Sequence, residues 1–370
     1  MPLTDNDSRF MARALRLAER GIYTTMPNPR VGCVMAHGEQ WLADGWHERA
    51  GEAHAEINAL RHAGEKARGA TAYVTLEPCN HTGRTGPCSQ ALVDAGVARV
   101  VFGMEDPNPQ VAGEGIQRLR AAGVVVEGPL MEDEARALNP GFISRMERGR
   151  PWVRCKLAMS LDGRTAMASG ESKWVTARRA REDVQRLRAR SCAIISGIDT
   201  VLMDHASLTV RATELGLDNA DAIARRQPLR VVLDSRGRMT PGATLLEQPG
   251  PVLLVGNMAS QAPWPAQVET LALPGPRNRI DLTALLTELA RRECNEVLLE
   301  SGATLAGAFL GQGLLDEIIV YMAPKLLGSN ARPLFQLPLD SMAAQLPLKI
   351  EDIRAVGHDW RITARPDPEG

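Results

Sequence analysis

At 370 residues the chain is longer than one hydrophobic core usually supports, so two domains are expected. Lys and Arg total 43 against 44 Asp and Glu, a net charge of −1, which excludes the summed positive field that non-specific nucleic-acid binding needs. The opening stretch "MPLTDNDSRFMARALRLAERG" has no apolar run of signal-peptide type and no segment is apolar enough to span a membrane, so the six cysteines are expected in a reducing cytoplasm.

In chain order, Ser8 is placed to cap a helix to about Arg20, with Gly21 just past its end. "VGCVMA" (31–36) and "WLADGW" (41–46) read as paired strands around the turn residues His37 and Gly38. A helix from about Ala53, a strand "ATAYVTL" and a helix opening at Pro87 and ending at Gly96 follow. A buried-type strand "ARVVFG" (98–103), a helix near 114–122 and a strand "VVVE" complete an α/β layered domain. Charge, Gly and Pro cluster at 147–151, which separates a first domain, residues 1–147, from a second, residues 151–370. The second half opens on the strand "WVRCKLAMS" and continues with a helix at 177–189 and the strands "CAIISG", "LRVVLDS", "PVLLVGN" and "EVLLESG". A helix from about Thr304, a strand "EIIVYMAP", a turn-rich tract (324–347) and two short terminal strands close the chain. The halves share no internal repeat, so two unrelated α/β domains are expected.

The loop "TLEPCNHTGRTGPC" (75–88) carries two cysteines too far apart for a C-x-x-C clamp. Upstream, "GEAHAEINAL" (51–60) supplies His54 and Glu56 at a predicted helix start. Side chains two apart point to different sides of a helix interior, so the pair can share a metal only if it approaches the helix end-on. Cys79 and Cys88 each follow a Pro, which favours the first helical turn, where unpaired N–H groups stabilise a thiolate. All three candidate ligands therefore lie near predicted helix starts. One imidazole and two thiolates leave a fourth tetrahedral position open, the mark of a catalytic zinc. Glu56, unbound, is then placed to shuttle a proton. Taken singly, each residue has a plainer reading as a structural histidine, a solvated carboxylate or an inert thiol; the order of all four, with Pro before each Cys, favours the metal.

"HAE…PC" matches the first two elements of the zinc nucleobase deaminase signature H-x-E…P-C-x-x-C, but the second cysteine is delayed to C-x8-C. The delay inserts His81 and Arg84 between the ligands. This combination, with "PNPRVGCVM" (27–35), "GWHERAGEAHAE" (45–56) and "EDPNP" (105–109), resembles the bifunctional deaminase/reductase family of riboflavin biosynthesis. The resemblance implies a cytidine-deaminase-like N-terminal domain that removes an amine from a pyrimidine carrying a ribosyl phosphate. It implies zinc on His54, Cys79 and Cys88, Glu56 as proton carrier, and substrate contacts at Asn28, His47, Ala55, His81 and Arg84.

In the second half, "KLAMSLDGRTA" (156–166), "GESKWVT" (170–176), "SGIDTVLMDHASLTVR" (196–211) and "LLESGATLAGAFL" (298–310) resemble the reductase half of the same family. By itself the last segment is a buried strand running into small residues at a helix start, which suits a phosphate as well as close packing; no G-x-G-x-x-G is present. The resemblance implies a dihydrofolate-reductase-like fold that uses NADPH to reduce the ribosyl group to ribityl. Cofactor contacts are implied at Ala158, Trp174, Thr200, Asp204 and Ser235, and at Gly302, Ala303, Thr304, Leu305, Ala306 and Gly307. Substrate contacts are implied at Lys156, Ser172, Arg188, Leu208, Arg211 and Glu300. The chain departs from the family at Asp204-His205-Ala206, where a Pro is usual. The partner expected is a small phosphorylated pyrimidine, with no nucleic acid or membrane, and the resemblance favours a homo-oligomer.

Two rival readings bear on the same residues. A deaminase acting on RNA, with the second half as a targeting domain, is opposed by the near-neutral charge and by only 6 Trp, 3 Tyr and 5 Phe for stacking. A non-catalytic zinc-stabilised binding module would normally supply four protein ligands and would leave Glu56 without a role.

Overall fold

The first helix starts a turn earlier than the Ser8 cap suggests. In the computed structural model, which describes residues 3–80, 86–109, 111–172 and 175–367, α1 is Asp5–Ala18. Thr4 is its N-cap: its hydroxyl accepts from Asp7 N–H (3.3 Å), and the Asp7 carboxylate accepts from Thr4 N–H (2.7 Å). This reciprocal pair outcompetes Ser8 because it satisfies two backbone donors at once.

The chain divides into two units, Met1–Gly149 and Arg150–Gly370. The first continues with β1 (Gly32–His37), β2 (Gln40–Trp46), α2 (Ala55–Ala63), β3 (Thr71–Val74), α3 (Cys88–Asp94), β4 (Arg99–Phe102), α4 (Glu114–Ala121), β5 (Val125–Glu127), α5 (Glu132–Leu138) and α6 (Pro140–Arg148). Its sheet order is β2-β1-β3-β4-β5, with β1 antiparallel to both neighbours and β3, β4 and β5 parallel. Period-2 alternation divides the core between the two faces. Cys33, Met35, Ala72, Val74, Val100 and Phe102 pack on one side, whereas Val34, Ala36, Tyr73 and Val101 pack on the other. The α2 helix seats closely on β2 because position 45 is Gly: a Cβ there would stand 2.7 Å from Ala55 O and 2.5 Å from Ala59 N.

The second unit comprises β6 (Trp152–Ser160), β7 (Arg164–Ala166), α7 (Arg178–Ala189), β8 (Ala193–Gly197), α8 (Ile198–Asp204), α9 (Ala220–Ala224), β9 (Leu229–Leu233), β10 (Val252–Gly256), β11 (Val268–Ala272) and α10 (Leu282–Arg291). It ends with β12 (Glu296–Glu300), α11 (Ala303–Gly311), β13 (Glu317–Ala323), β14 (Arg332–Pro333), β15 (Leu348–Val356) and β16 (Asp359–Pro366). The nine-stranded sheet has the order β11-β10-β9-β8-β12-β6-β13-β16-β15. From β11 to β13 all neighbours are parallel, and β16 and β15 add an antiparallel edge. The carboxyl ends of the parallel strands therefore open on one edge, the usual position of a ligand crevice in such sheets. β12 is buried along its whole length, sending Val297 and Leu299 to one core and Leu298 to the other.

Other features also differ from the sequence reading. Residues 132–148, to which the sequence reading gave no element, form α5 and α6. The α8, α9 and α10 helices and the strands β7, β11 and β14 were not anticipated. The terminal strands, expected to be short, are 9 and 8 residues long. Cys79, expected at a helix start, lies in the loop after β3. No helix among the described residues is long and apolar enough to cross a membrane.

Candidate active sites

In the first unit α2 positions two of the predicted groups. His54 is its N-cap, with extended backbone (φ −72°, ψ 166°), and Glu56 lies in the first turn, 3% exposed. Because His54 precedes the helical turn, the divergence expected of residues two apart does not apply. Cys88 opens α3 immediately after Pro87 and is fully buried. Cys79 reaches the same place from its loop: its carbonyl accepts from Ser89 N–H (3.1 Å) and its sulfur from Cys88 N–H (3.5 Å). It thus sits against the start of α3 without belonging to a helix.

His54 Nδ1 is 3.6 Å from Cys79 Sγ and 3.3 Å from Cys88 Sγ, and the three ligand atoms lie within 4.8 Å of one another. A tetrahedral zinc with ordinary Zn–N and Zn–S bonds holds such atoms roughly 3.6 Å apart, so the donor set and its spacing fit zinc. The contact with Cys88 holds the Cys79 thiol below the ordinary thiol range, and the same contact, with burial, pushes Cys88 up. The hydrogen bond to Cys79 raises His54. Burial, aided by the charge on Cys79, pushes Glu56 up to about 7.

Two predicted substrate residues form a pair beside this group. His47, 2% exposed, packs edge-on against the His54 ring, centroids 5.4 Å apart. Its Nδ1 is 3.1 Å from Ala53 O, which can only accept, so Nδ1 carries the hydrogen and Nε2 accepts from Asn28 Nδ2 (3.1 Å). Burial lowers the His47 pKa, consistent with this neutral tautomer. The Ala55 side chain is fully buried in the core and only its backbone remains to meet a ligand. His81 and Arg84 lie outside the described residues.

Glu77 was not singled out in the sequence, although an acidic residue in the otherwise apolar run before Pro78-Cys79 is the signal for it. Its buried carboxylate accepts four backbone N–H groups: Asp106 (3.2 Å) and Gly113 (3.0 Å) on Oε2, Gly115 (2.9 Å) and Ile116 (3.2 Å) on Oε1. It thereby ties the ligand-bearing loop to the start of α4, which approaches so closely that a Cβ on Gly115 would stand 1.9 Å from Pro78 O. Glu77→Gln turns one acceptor into a donor facing two N–H groups and is expected to cost unit 1 about 2–4 kcal/mol. Faster amide exchange across 106–116 and zinc lost to a weaker chelator would register it; unchanged zinc retention and exchange would refute it.

In the second unit a cavity of about 2300 Å³ lies along the carboxyl ends of the parallel strands. Of the predicted substrate residues, Lys156, Ser172, Arg188, Leu208 and Glu300 line it. Arg188 and Glu300 form a bidentate pair, Nε to Oε1 at 2.6 Å and Nη2 to Oε2 at 2.9 Å, and Arg188 Nη1 also donates to Thr209 O (3.0 Å). Burial opposes charge on Glu300, yet Arg188, with Lys156 beyond it, holds its carboxyl below the ordinary range. Burial lowers Lys156.

Predicted cofactor residues Ala158, Thr200, Asp204 and Ser235 line the same cavity, as do Gly302, Ala303, Thr304 and Leu305. Asp204 accepts from Ser172 Oγ (3.1 Å), joining two of the motif segments, while His205 takes a left-handed conformation (φ 49°) that ends α8. Three further predicted residues are not brought into the lining by their side chains. Arg211 is outside the lining and pairs with Glu214 at 2.8 Å. Ala306 is fully buried in the core. Gly307 faces the chain at Gln336, whose carbonyl oxygen would stand 2.3 Å from a Cβ. One helical turn past the N-terminus, these two positions point back into the unit. Trp174 lies outside the described residues.

The start of α11 fits a dinucleotide phosphate. Ser301 Oγ is buried with no hydrogen-bond partner among the described residues, and no atom lies within 4 Å of where a Cβ on Gly302 would be. Open space, an orphaned hydroxyl and the unpaired N–H groups of a helix start together suit an anion.

Residues 4–104 match the family model for the cytidine and deoxycytidylate deaminase zinc-binding region, and residues 151–362 match that for the RibD C-terminal domain. Among curated proteins the chain is 52% identical over 357 residues to the riboflavin biosynthesis protein RibD of Escherichia coli, covering 95% of this chain and 97% of that one. It is 46% identical over 371 residues to RibD of Haemophilus influenzae, covering 99% of each. The structure of Acinetobacter baumannii RibD superposes with a TM-score of 0.89 at 47% identity over 98% of this chain and 99% of that one. A diaminohydroxyphosphoribosylaminopyrimidine deaminase/5-amino-6-(5-phosphoribosylamino)uracil reductase from Thermotoga maritima superposes with a TM-score of 0.86 at 31% identity, covering 98% of this chain and 99% of that one.

Proposed function

The chain belongs to the RibD family of riboflavin-biosynthesis proteins, and from that premise we infer how its two units divide the work. It is a bifunctional enzyme, a zinc-dependent deaminase and an NADPH-dependent reductase, with a cytidine-deaminase-like unit followed by a dihydrofolate-reductase-like one. The substrate is 2,5-diamino-6-(5-phosphoribosylamino)pyrimidin-4(3H)-one, deaminated first; the ribosyl side chain is then reduced to ribityl. A buried Glu56 beside three metal ligands is the observation that carries the first step. A structural site would have used a fourth protein ligand.

His54, Cys79 and Cys88 would hold zinc, which would lower the pKa of a bound water from near 16 to about 7. Glu56, a buried carboxyl beside the ligand group, would take a proton from that water and deliver it to the departing nitrogen, so that ammonia leaves. His47 and Asn28, locked to each other, hold the pyrimidine edge, and Arg84 suits the phosphate as a bidentate donor. In the second unit NADPH, when bound, would supply the hydride. Arg188 and Glu300, fixed as a pair, orient the ribosyl phosphate end, and Lys156, whose ammonium is disfavoured by burial, is placed to move a proton. The Ser172–Asp204 contact takes over the fastening that a Pro provides in the family at this loop.

The RNA-deaminase alternative is set aside, because residues 151–362 match the RibD C-terminal domain rather than a targeting module. A cytoplasmic location belongs to the same reading, supported by six cysteines none of which is in a disulfide among the described residues. So does a homo-oligomer, supported by the edge strand β15, which exposes Ile350 and Ile353.

Incubation with the diaminopyrimidinone ribosyl phosphate tests the assignment. Ammonia is expected without NADPH, and loss of nicotinamide absorbance only after NADPH is added. Nicotinamide oxidation ahead of any ammonia would overturn the order of the two steps, and no ammonia from zinc-loaded protein would sink the deaminase.

A further inference from the structure

The reductase cavity has two charged ends, of which the mechanism above uses only one. The inner end holds Lys156 and the Arg188–Glu300 pair; the outer end is built from the turns that follow β9, β10 and β11. Asn257 fastens these turns together, its Nδ2 donating to Ser235 O (3.2 Å) and to Asn278 O (2.7 Å). Leu273 N–H donates to Gly256 O (2.9 Å), and the loop after β11 is closed on itself by Gly275 N–H to Arg279 O (2.7 Å). At its tip Arg277 and Asn278 adopt left-handed backbone (φ 54° and 56°), a conformation uncommon for residues other than Gly.

Four arginines, Arg236, Arg238, Arg277 and Arg279, line this outer end. Arg238 is neutralised by Asp199 (2.7 Å). The other carboxylates on these turns are engaged by backbone: Asp234 by Met239 N–H (2.7 Å) and Asp281 by Ala284 N–H (2.9 Å). Arg236, Arg277 and Arg279 make no ion pair among the described residues. Three arginines without an ion pair among the described residues thus line the same end of the cavity, and a doubly charged anion there would offset their like charge.

The parallel sheet orders the possible anions. The start of α11, after β12, suits the pyrophosphate of a dinucleotide; β8, β9 and β10 follow in turn toward the outer end. A dinucleotide with its reactive end over Lys156 and its pyrophosphate at α11 carries its adenosine outward, to the three arginines. The additional anion that distinguishes NADPH from NADH is the phosphate on the adenosine 2′-oxygen. We propose that Arg236, Arg277 and Arg279 clamp that 2′-phosphate and set the preference of this reductase for NADPH over NADH. The proposal rests on reading unit 2 as the dinucleotide-dependent reductase.

Calorimetric titration of the full chain with NADPH, NADH, adenosine 2′,5′-bisphosphate and AMP tests it. The wild type is expected to bind the bisphosphate at least 30-fold more tightly than AMP. Arg277→Ala should weaken NADPH and the bisphosphate about 10-fold, the usual scale for one charged hydrogen-bonding group, and leave NADH and AMP within twofold. Arg277→Gly, which suits the left-handed backbone, should do the same, so that a loss shared by both variants reports the guanidinium and not the loop. The triple variant Arg236→Ala/Arg277→Ala/Arg279→Ala should erase the preference. Equal weakening of both dinucleotides, or an unchanged ratio in the triple variant, overturns the clamp alone. Wild-type protein that binds neither dinucleotide overturns the reductase reading and the clamp with it.

Discussion

Glu56→Gln is expected to retain zinc and to lower deamination about 10²–10⁴-fold, the range attributable to one positioned acid–base group. Gln keeps the shape of the side chain, and Glu56 is only 3% exposed, so a neutral replacement relieves a desolvation penalty instead of opening a cavity. Folding of the α2 start, and with it the placement of His54, is therefore preserved. What disappears is a group able to take a proton and give it back. Cys79→Ser is the complementary change: it removes a ligand, so metal and deamination fall together. Both variants should still reduce the deaminated product with NADPH, because that chemistry is assigned to residues 150–370. Metal content by mass spectrometry, ammonia release and nicotinamide oxidation separate these cases. Undiminished ammonia release by zinc-loaded Glu56→Gln would remove Glu56 from the mechanism.

The convergence of His54, Cys79 and Cys88 was legible because thiolates and imidazole in this order have few other uses, and the delayed second cysteine narrowed the class further. The local backbone was less legible. Pro before a cysteine pointed to two helix starts, but only Pro87 begins one. After Pro78 the chain stays in a loop, because Glu77 holds it to the 106–116 segment through four backbone hydrogen bonds that no local pattern encodes. The α10 helix carries a readable signal, Asp281 capping Ala284 N–H ahead of Leu282, Leu285, Leu286 and Leu289 on one buried face. Helices α5 and α6 were hidden by the charge cluster that follows them. In the reductase unit, resemblance indicated a run from Gly302 to Gly307, but helical geometry divides it. The first residues face the cavity, and one turn on, Ala306 and Gly307 face the packed interior. The Arg277 turn carried no sequence signal, since its position depends on β9, β10 and β11 lying side by side.

The Arg188–Glu300 pair gives the second large effect, and stability and activity should separate there. Both groups are largely buried, with side-chain exposures of 13% and 9%. Arg188→Met leaves a buried carboxylate with Lys156 as its nearest remaining cation, and Glu300→Met leaves a buried guanidinium; each is expected to destabilise unit 2 by about 3–5 kcal/mol. The double variant, with two apolar side chains filling the same space, should recover most of that loss. Reductase activity should be lost in all three, because the apolar pair cannot hold a phosphorylated ribosyl group. The pH dependence has a definite sign. In the wild type the Glu300 carboxyl lies below its ordinary value, so its contribution is full above the usual carboxylate range and declines as pH falls through the depressed value. In Arg188→Met that depression is largely removed and burial dominates, so Glu300 protonates at higher pH and the penalty is relieved as the solution is acidified. The gap between variant and wild type should be widest near neutrality and narrow below about pH 4. Hydrogen exchange of unit 2 peptides across a urea series at two pH values measures it. A gap that widens in acid, or a double variant as unstable as the singles, would show that these two side chains do not depend on each other; a double variant that still reduces substrate would free both from the reaction.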